Sequence, residues 1–121
     1  MFKTGYLRTA AASPKLLVAN TKANTDRIIA CIKEAAENKA AVVLFPELAI
    51  TSYTCADLFY QEQLYRKNLE GLKLIIDASG STDSVVIVGF YLRLNTSLYN
   101  CAAVIQHGKL LGVVPKMFLP N

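Results

Sequence analysis

The sequence lacks the residues that would build a metal centre or a disulfide scaffold. Its 121 residues include three cysteines, Cys31, Cys55 and Cys101, and a single histidine, His107. No C-x-x-C pair occurs, and an odd number of widely spaced cysteines does not predict a disulfide framework. A tetrahedral zinc site needs four close ligands, which this spacing does not supply. We therefore expect free thiols and no metal in this chain.

Charge and long apolar runs are also scarce. Only 18% of the residues are charged, and the net charge of +4 is scattered, with Arg66–Lys67 as the one adjacent basic pair. Nucleic-acid binders usually cluster basic residues on one face, so no nucleic-acid partner is expected. The apolar runs Ala40–Phe45 and Val85–Phe90 fall far short of the ~18 residues of a membrane helix. Because Lys3 and Arg8 also interrupt any N-terminal signal core, we expect a cytoplasmic protein with no membrane partner.

What the sequence does contain is apolar material in helical and strand-like patterns. Hydrophobic residues make up 53% of the chain, which excludes a disordered protein. The run Ala41–Phe45 has no polar alternation, as is typical of strands covered on both faces in α/β proteins. The periodicity predicts the order β-α-β-α-β-β-β, with elements at Tyr6–Ala12, from Asn24 or Thr25 to Asn38, and at Ala41–Phe45, Phe59–Ala78, Ser84–Tyr91, Ser97–Gln106 and Lys109–Lys116.

Three short features refine this prediction. Asn38 is a plausible left-handed stop for the first helix. Gly71 lies inside the second helix, where it weakens the helix by about 1 kcal/mol relative to Ala, so a break is possible there. The pair His107-Gly108 between the last two strands predicts a tight hairpin. The chain is therefore expected to begin as an α/β protein and to continue into hairpins.

Glu47 is the polar residue that carries most information. It lies just past a predicted buried strand, where open α/β sheets place their functional groups. Phe45 and Tyr53 nearby would desolvate its carboxylate, and desolvation raises the pKa of a carboxyl group toward general-base duty. Since glutamate is mostly exposed in proteins, an ordinary solvated loop carboxylate is the alternative interpretation.

The surroundings of Glu47 and the end of the chain resemble one known family. Phe-Pro-Glu-Leu at Phe45–Leu48 is followed by Tyr-Thr-Cys-Ala-Asp-Leu-Phe at Tyr53–Phe59, and Gly112–Asn121 carries a lysine motif. Together with the small-residue strand Thr9–Ser13, these segments resemble the glutamine-dependent NAD+ synthetases of the nitrilase (carbon–nitrogen hydrolase) superfamily. The Phe-Pro-Glu-Leu motif at Phe45–Leu48 is typical of the whole superfamily, whereas the Tyr53–Phe59 extension narrows the resemblance to the synthetases.

The resemblance implies a fold, an active site and a reaction. Residues 1–121 would be the N-terminal portion of a glutamine amidotransferase domain, part of a four-layer α-β-β-α sandwich with both helices on one face of a mixed sheet. The family uses a Glu-Lys-Cys triad, and motif matching places Glu47 as general base and Lys116 as its lysine. We therefore expect these two side chains to converge on one site, where the Lys116 ammonium would lower the pKa of the Glu47 carboxylate. The nucleophilic cysteine would lie beyond Asn121. Without the family context, Lys116 could simply be a strand-end lysine that extends into water.

The same resemblance implies the substrates and partners of the parent enzyme. Glutamine hydrolysis would supply ammonia for the amidation of deamido-NAD, and ATP with Mg2+ would act in a synthetase domain absent from this chain. No cofactor is expected in this segment, whose glycines never form a phosphate-binding loop. A homo-oligomer is also implied.

The three cysteines present here are not expected to replace the missing nucleophile. Cys31 falls on the apolar face of a predicted helix, and Cys101 alternates with apolar residues on a predicted strand, so both indicate packing. Cys55 lies in the same loop as Glu47, but within the resemblance it belongs to the loop motif. Two further positions, Ser52 and Ala56, depart from the family pattern, which usually has glycine at both.

Three hypotheses are therefore open. The first is the amidase part of a glutamine-dependent NAD+ synthetase. The second is a nitrilase-like amidohydrolase that acts alone on a small amide, and the Tyr53–Phe59 extension favours the synthetase over it. The third is a non-catalytic chain that keeps the fold for binding or assembly.

Overall fold

The computed structural model describes residues 5–116, in which the predicted order of helices and strands is confirmed. A 3-10 helix is added before the second α-helix. The elements are β1 (Thr9–Ala11), α1 (Thr21–Glu37), β2 (Val42–Leu44), the 3-10 helix (Ala56–Tyr60), α2 (Glu62–Ser79), β3 (Val85–Leu94), β4 (Ser97–Gln106) and β5 (Lys109–Pro115). The last part of the lysine motif, residues 117–121, lies outside the described residues.

The five strands form one mixed sheet in the order β1-β2-β3-β4-β5. The first three strands run parallel, and the hairpins add β4 and β5 antiparallel. Alternate residues of the central strands, such as Val86, Val88 and Ala103, share one buried cluster with Ile28 of α1 and Ile75 of α2. Both helices therefore pack on the same face of the sheet, as predicted.

The opposite face of the sheet is apolar and open. Leu44 and Val114 point there with 50% and 59% of their surface exposed. The strand register pairs Ile87 with Val104, so both residues lie on this face, where they are half-buried. The described residues thus form one helical layer and one sheet layer. One face of the sheet is left uncovered, as a part of a four-layer sandwich would leave it. We call it the open face.

The first helix begins and ends at different residues from those predicted. It begins at Thr21, with the Asn20 side chain accepting a hydrogen bond from the Ala23 amide at 3.1 Å. Asn24, one of the two residues at which the helix was expected to begin, is instead fully buried inside the helix. At the other end Asn38 has φ −85°, and the left-handed conformation falls on Lys39 at φ 59°. Asn38 itself donates from its side-chain amide to the Glu34 carbonyl at 2.9 Å.

The remaining local predictions divide between confirmed and wrong. The hairpin is confirmed, with positive φ at both His107 (51°) and Gly108 (74°), the geometry of a type I′ turn. The first strand is shorter than predicted. The possible break at Gly71 is wrong, because α2 runs through it without interruption. A Cβ atom at Gly71 would lie 2.6 Å from the Thr25 hydroxyl oxygen of α1, so the glycine serves a close helix crossing.

Candidate active site

Glu47 lies just after the end of β2, and hydrogen bonds to the neighbouring strand fix the position of this segment. The Phe45 amide donates to the Ile87 carbonyl at 2.9 Å, which continues the pairing with β3 up to the turn. Beyond Glu47 the chain is tied down on both sides. The Ile50 amide donates to the Gly89 carbonyl at 3.4 Å, and the buried Asn24 side chain donates to the Ile50 carbonyl at 3.0 Å. Glu47 therefore lies on a short anchored segment.

Gly89 of β3 lets this segment pass directly over the sheet. A Cβ atom at Gly89 would lie 2.3 Å from the Leu48 nitrogen and 2.6 Å from the Pro46 carbonyl oxygen. Both neighbours are backbone atoms that cannot swing aside, so a side chain here would displace the residues on either side of Glu47. Sequence reasoning missed this residue. The available signal was a glycine inside a strand, which often marks a close backbone approach.

Glu47 and Lys116 meet although 69 positions separate them in the sequence. The Lys116 ammonium donates to Glu47 Oε1 at 2.8 Å, with 29% of the Lys116 side chain and 46% of the Glu47 side chain exposed. The sheet brings them together, because the Lys116 amide donates to the Asn100 carbonyl at 2.8 Å at the end of β5. Asn100 also donates from its side chain to Glu47 Oε2 at 3.3 Å. The predicted convergence of Glu47 and Lys116 is thus confirmed, and Asn100 is a neighbour that the sequence did not reveal.

Of the two shifts expected for the Glu47 pKa, the upward shift from desolvation is wrong and the downward shift from Lys116 is confirmed. The Lys116 ammonium holds the pKa of Glu47 below its usual value, desolvation opposes this, and the hydrogen bond from Asn100 lowers the pKa further. The cause is exposure combined with a contacting cation, because partial burial cannot outweigh an ion pair at this distance. The carboxylate is therefore ionised at neutral pH and able to accept a proton.

A groove of about 310 Å³ surrounds this pair on the open face. Among its described lining residues, Glu47 and Lys116 are the only charged ones, and most of the others are apolar. A cavity of about 430 Å³ at β1 contains neither residue, so volume alone does not identify the site. The groove is lined by Leu44, Phe45, Pro46, Glu47, Ile87, Gly89, Asn100, Cys101, Ala102, Val114, Pro115 and Lys116.

Of the three cysteines, Cys101 alone lines the groove, and it belongs to the buried core cluster. Burial raises the pKa of the Cys101 thiol, and burial together with the nearby Glu34 carboxylate raises the pKa of Cys31. Both shifts are opposite to what an activated nucleophile needs. Cys55 is only 2% exposed and donates to the Thr51 carbonyl at 3.0 Å. Within residues 5–116, the hydrogen-bond partners of Glu47 are Lys116 and Asn100 rather than a thiol.

The loop that carries the family extension has an unusual backbone. Ser52 has φ 73° and Ala56 has φ 52°, in the left-handed region that glycine occupies without strain. These are the two positions at which the resemblance described above leads us to expect glycine. This chain adopts at both positions a conformation that glycine reaches without strain, with side chains that make it costly.

The described residues hold neither a metal-ligand cluster nor a membrane-spanning helix. Between residues 5 and 116 no three His, Cys, Asp or Glu side chains are grouped as a metal ion would require. In the same part of the chain, no helix combines the length and apolarity needed to cross a bilayer.

Comparison with known proteins relates this geometry to a family. Residues 8–120 match the family model for carbon–nitrogen hydrolases. The sequence is 31% identical over 120 residues to the glutamine-dependent NAD(+) synthetase of Mycobacterium tuberculosis, and the match covers 99% of this chain and 18% of that protein. The crystal structure of a glutamine-dependent NAD(+) synthetase from Cytophaga hutchinsonii gives a TM-score of 0.88 at 29% identity, over 95% of this chain and 20% of that one.

A second structural relative shows the fold alone. An amidase of the nitrilase superfamily from Nesterenkonia AN1 gives a TM-score of 0.85 at 17% identity, over 95% of this chain and 44% of that one. The chain spans about a fifth of the length of the synthetases it matches.

Proposed function

The chain belongs to the carbon–nitrogen hydrolase family, and we propose that it serves glutamine hydrolysis within a glutamine-dependent NAD+ synthetase. The observation that carries the proposal is the Glu47–Lys116 ion pair at 2.8 Å, in a groove with no other charged lining residue among those described. Similarity to NAD(+) synthetases over nearly the whole chain supports glutamine as the amide. Ammonia released in this reaction would amidate deamido-NAD in the cytoplasm.

Each residue of the pair has a defined task in this reaction. Glu47, an ionised carboxylate, accepts the proton of a cysteine thiol as the sulfur attacks the side-chain amide carbon of glutamine. Lys116 faces the same carbonyl and stabilises the developing oxyanion, a contribution commonly worth about 3 kcal/mol per donor. Collapse returns the proton to the departing nitrogen, so ammonia leaves and a thioester remains. Water then attacks the thioester, giving glutamate and the free thiol.

The thiol is proposed to come from outside this chain. Cys31 and Cys101 have raised thiol pKa values, and Cys55 donates to a loop carbonyl. The groove opens on the uncovered face of the sheet, where a second layer could bring a nucleophile. ATP and Mg2+ are likewise proposed to bind elsewhere, since this sequence has no glycine-rich phosphate cradle.

Covalent labelling tests this proposal. The chain is incubated with an electrophilic glutamine analogue, followed by intact mass measurement and peptide mapping. We expect no adduct on Cys31, Cys55 or Cys101, and an adduct on a downstream cysteine in a longer protein that carries this chain. A stoichiometric adduct on Cys55 that Glu47→Gln abolishes would show that the nucleophile is already here. A longer protein that is labelled by small aliphatic amide analogues but not by the glutamine analogue would favour a stand-alone amidohydrolase.

A further inference from the structure

Asn100 of β4 contacts both members of the charged pair. Its side-chain amide donates to Glu47 Oε2 at 3.3 Å, while Lys116 donates to Oε1. Its backbone carbonyl accepts from the Lys116 amide at 2.8 Å. Because an ionised carboxylate only accepts hydrogen bonds, the amide group must present its nitrogen to Glu47. One residue thus links the loop after β2 to the end of β5.

Hydrogen-bond donors on both carboxylate oxygens restrict the orientation of the Glu47 carboxylate more than a single donor does. The terminal torsion of a glutamate side chain is broad, so a carboxylate held by Lys116 alone can still rotate about its axis. A second donor on Oε2 fixes the carboxylate plane. Each carboxylate oxygen keeps a further lone pair, because it can accept more than one hydrogen bond. The free lone pairs then have a defined direction toward the groove.

We propose that Asn100 is a positioning residue, which fixes the carboxylate plane of Glu47 and the path of the chain at Lys116 so that both charged groups face the groove together. The consequence for catalysis rests on the proposed function, whereas the contact itself does not. Few other groups near Glu47 could fix the orientation of its carboxylate. Lys116, which directly follows β5, is the charged neighbour among the described residues, β3 offers Ile87 and Gly89, and β4 adds Ala102.

A titration tests the contact independently of activity. The Glu47 carboxylate is titrated by carbon-13 NMR, with its signal assigned by loss in Glu47→Gln. Asn100→Leu removes the side-chain donor at similar volume and keeps the backbone carbonyl. We expect the pKa of Glu47 to rise, because the ionised form loses a hydrogen bond. Asn100→Gln, which retains an amide, should show a smaller rise.

The matched control is Gln106→Leu at the other end of the same strand. Gln106 also donates a side-chain amide, to the Asp83 carbonyl at 3.1 Å, so the substitution removes an equivalent bond far from the site. The titration of Glu47 should be unchanged in this variant. A backbone amide spectrum shows whether each variant is folded. If Asn100→Leu does not fold, Asn100→Ala supplies the same comparison.

Activity adds a second readout in the full-length protein that carries this chain. Asn100→Leu should lower kcat for glutamine hydrolysis by about tenfold with KM little changed, and move the acid limb of the pH–rate profile to higher pH. A folded Asn100→Leu protein with an unchanged Glu47 titration overturns the inference, whatever its activity. A raised pKa in a full-length protein that does not hydrolyse glutamine supports the positioning contact and contradicts the proposed function.

Discussion

At the scale of single residues, the position of the candidate site depends on whether a single side-chain carbon is present or absent. Gly89 is the clearest case, since the backbone on both sides of Glu47 crosses directly above it. The positive φ of Leu48, 50°, belongs to the same crossing and adds local strain next to the carboxylate. The position of the proposed base is therefore set as much by a missing side chain on β3 as by its own sequence.

Gly89→Ala should displace Glu47 and destabilise the fold. The added methyl would lie 2.3 Å from a backbone nitrogen, so the loop must move, and overpacking of this kind costs about 2–3 kcal/mol. The free energy of unfolding, measured by urea denaturation, gives the size of the effect. The pKa of Glu47 should rise toward its ordinary value as the carboxylate leaves Lys116.

Gly112→Ala is the matched control for that substitution. Gly112 lies in β5 without positive φ, and a Cβ atom added there would meet no other atom within 4 Å. Alanine at this position should therefore change the free energy of unfolding by no more than about 0.5 kcal/mol. Equal effects of the two substitutions would contradict the close approach at Gly89.

At the scale of elements, the helix pair supports the site from behind the sheet. The crossing of α1 and α2 is close because Gly71 faces Thr25. Ile50, from the loop that follows Glu47, inserts beside the same crossing, and its carbonyl accepts from Asn24 of α1. The helices thus hold the loop on which Glu47 depends.

Gly71→Ala should destabilise the protein, although alanine normally favours a helix by about 1 kcal/mol over glycine. A Cβ atom would lie 2.6 Å from Thr25 Oγ1 and 3.0 Å from a methyl carbon of Ile50, so the crossing must open. We expect a net loss of about 1–2 kcal/mol in thermal or urea unfolding.

The Thr25→Ala variant tests whether the Thr25 hydroxyl causes the steric clash expected in Gly71→Ala. It removes the hydroxyl oxygen, which is buried with no hydrogen-bond partner among the described residues. In that background Gly71→Ala should cost at least about 1 kcal/mol less, a coupling that a double-mutant cycle measures. Simple additivity of the two changes would show that the Thr25 hydroxyl is not the source of the cost of Gly71→Ala.

At the scale of the whole molecule, the open face and the groove are the same side of the sheet. Leu44 and Val114, both at least half exposed, are also lining residues of the groove that holds Glu47 and Lys116. A contiguous apolar surface of this kind is unusual on a protein that works uncovered. The side that carries the proposed active site is therefore also the apolar, uncovered side of the sheet.

The chain taken by itself should therefore associate through this face. Leu44→Lys combined with Val114→Lys should lower self-association measured by sedimentation velocity over a concentration series, because charges would replace exposed apolar surface. Leu74→Lys is the control, since Leu74 is 54% exposed on α2, away from this face. Association that persists in the double variant and disappears in Leu74→Lys would locate the contact on the helices instead.

The sequence by itself determined the features that depend on neighbouring residues. The alternation and period of apolar residues predicted the order of the elements, and His107-Gly108 predicted a turn that requires positive φ. The buried strand that ends just before Glu47 made this residue a candidate, and the resemblance of Phe45–Leu48 to a known family motif selected it. Even the departures at Ser52 and Ala56 were visible as sequence features, and their left-handed φ values supplied the reason.

Only the tertiary structure decided how distant segments meet. The family resemblance predicted that Glu47 and Lys116 share a site, but the register of β3, β4 and β5 sets their contact and adds Asn100 to it, and no local pattern encodes that register. The direction of the Glu47 pKa shift depends on the distance to Lys116, so reasoning from its apolar neighbours alone predicted the wrong sign. The same holds for Gly89 and Gly71, because a glycine that makes room for another segment is recognised only when that segment is in place.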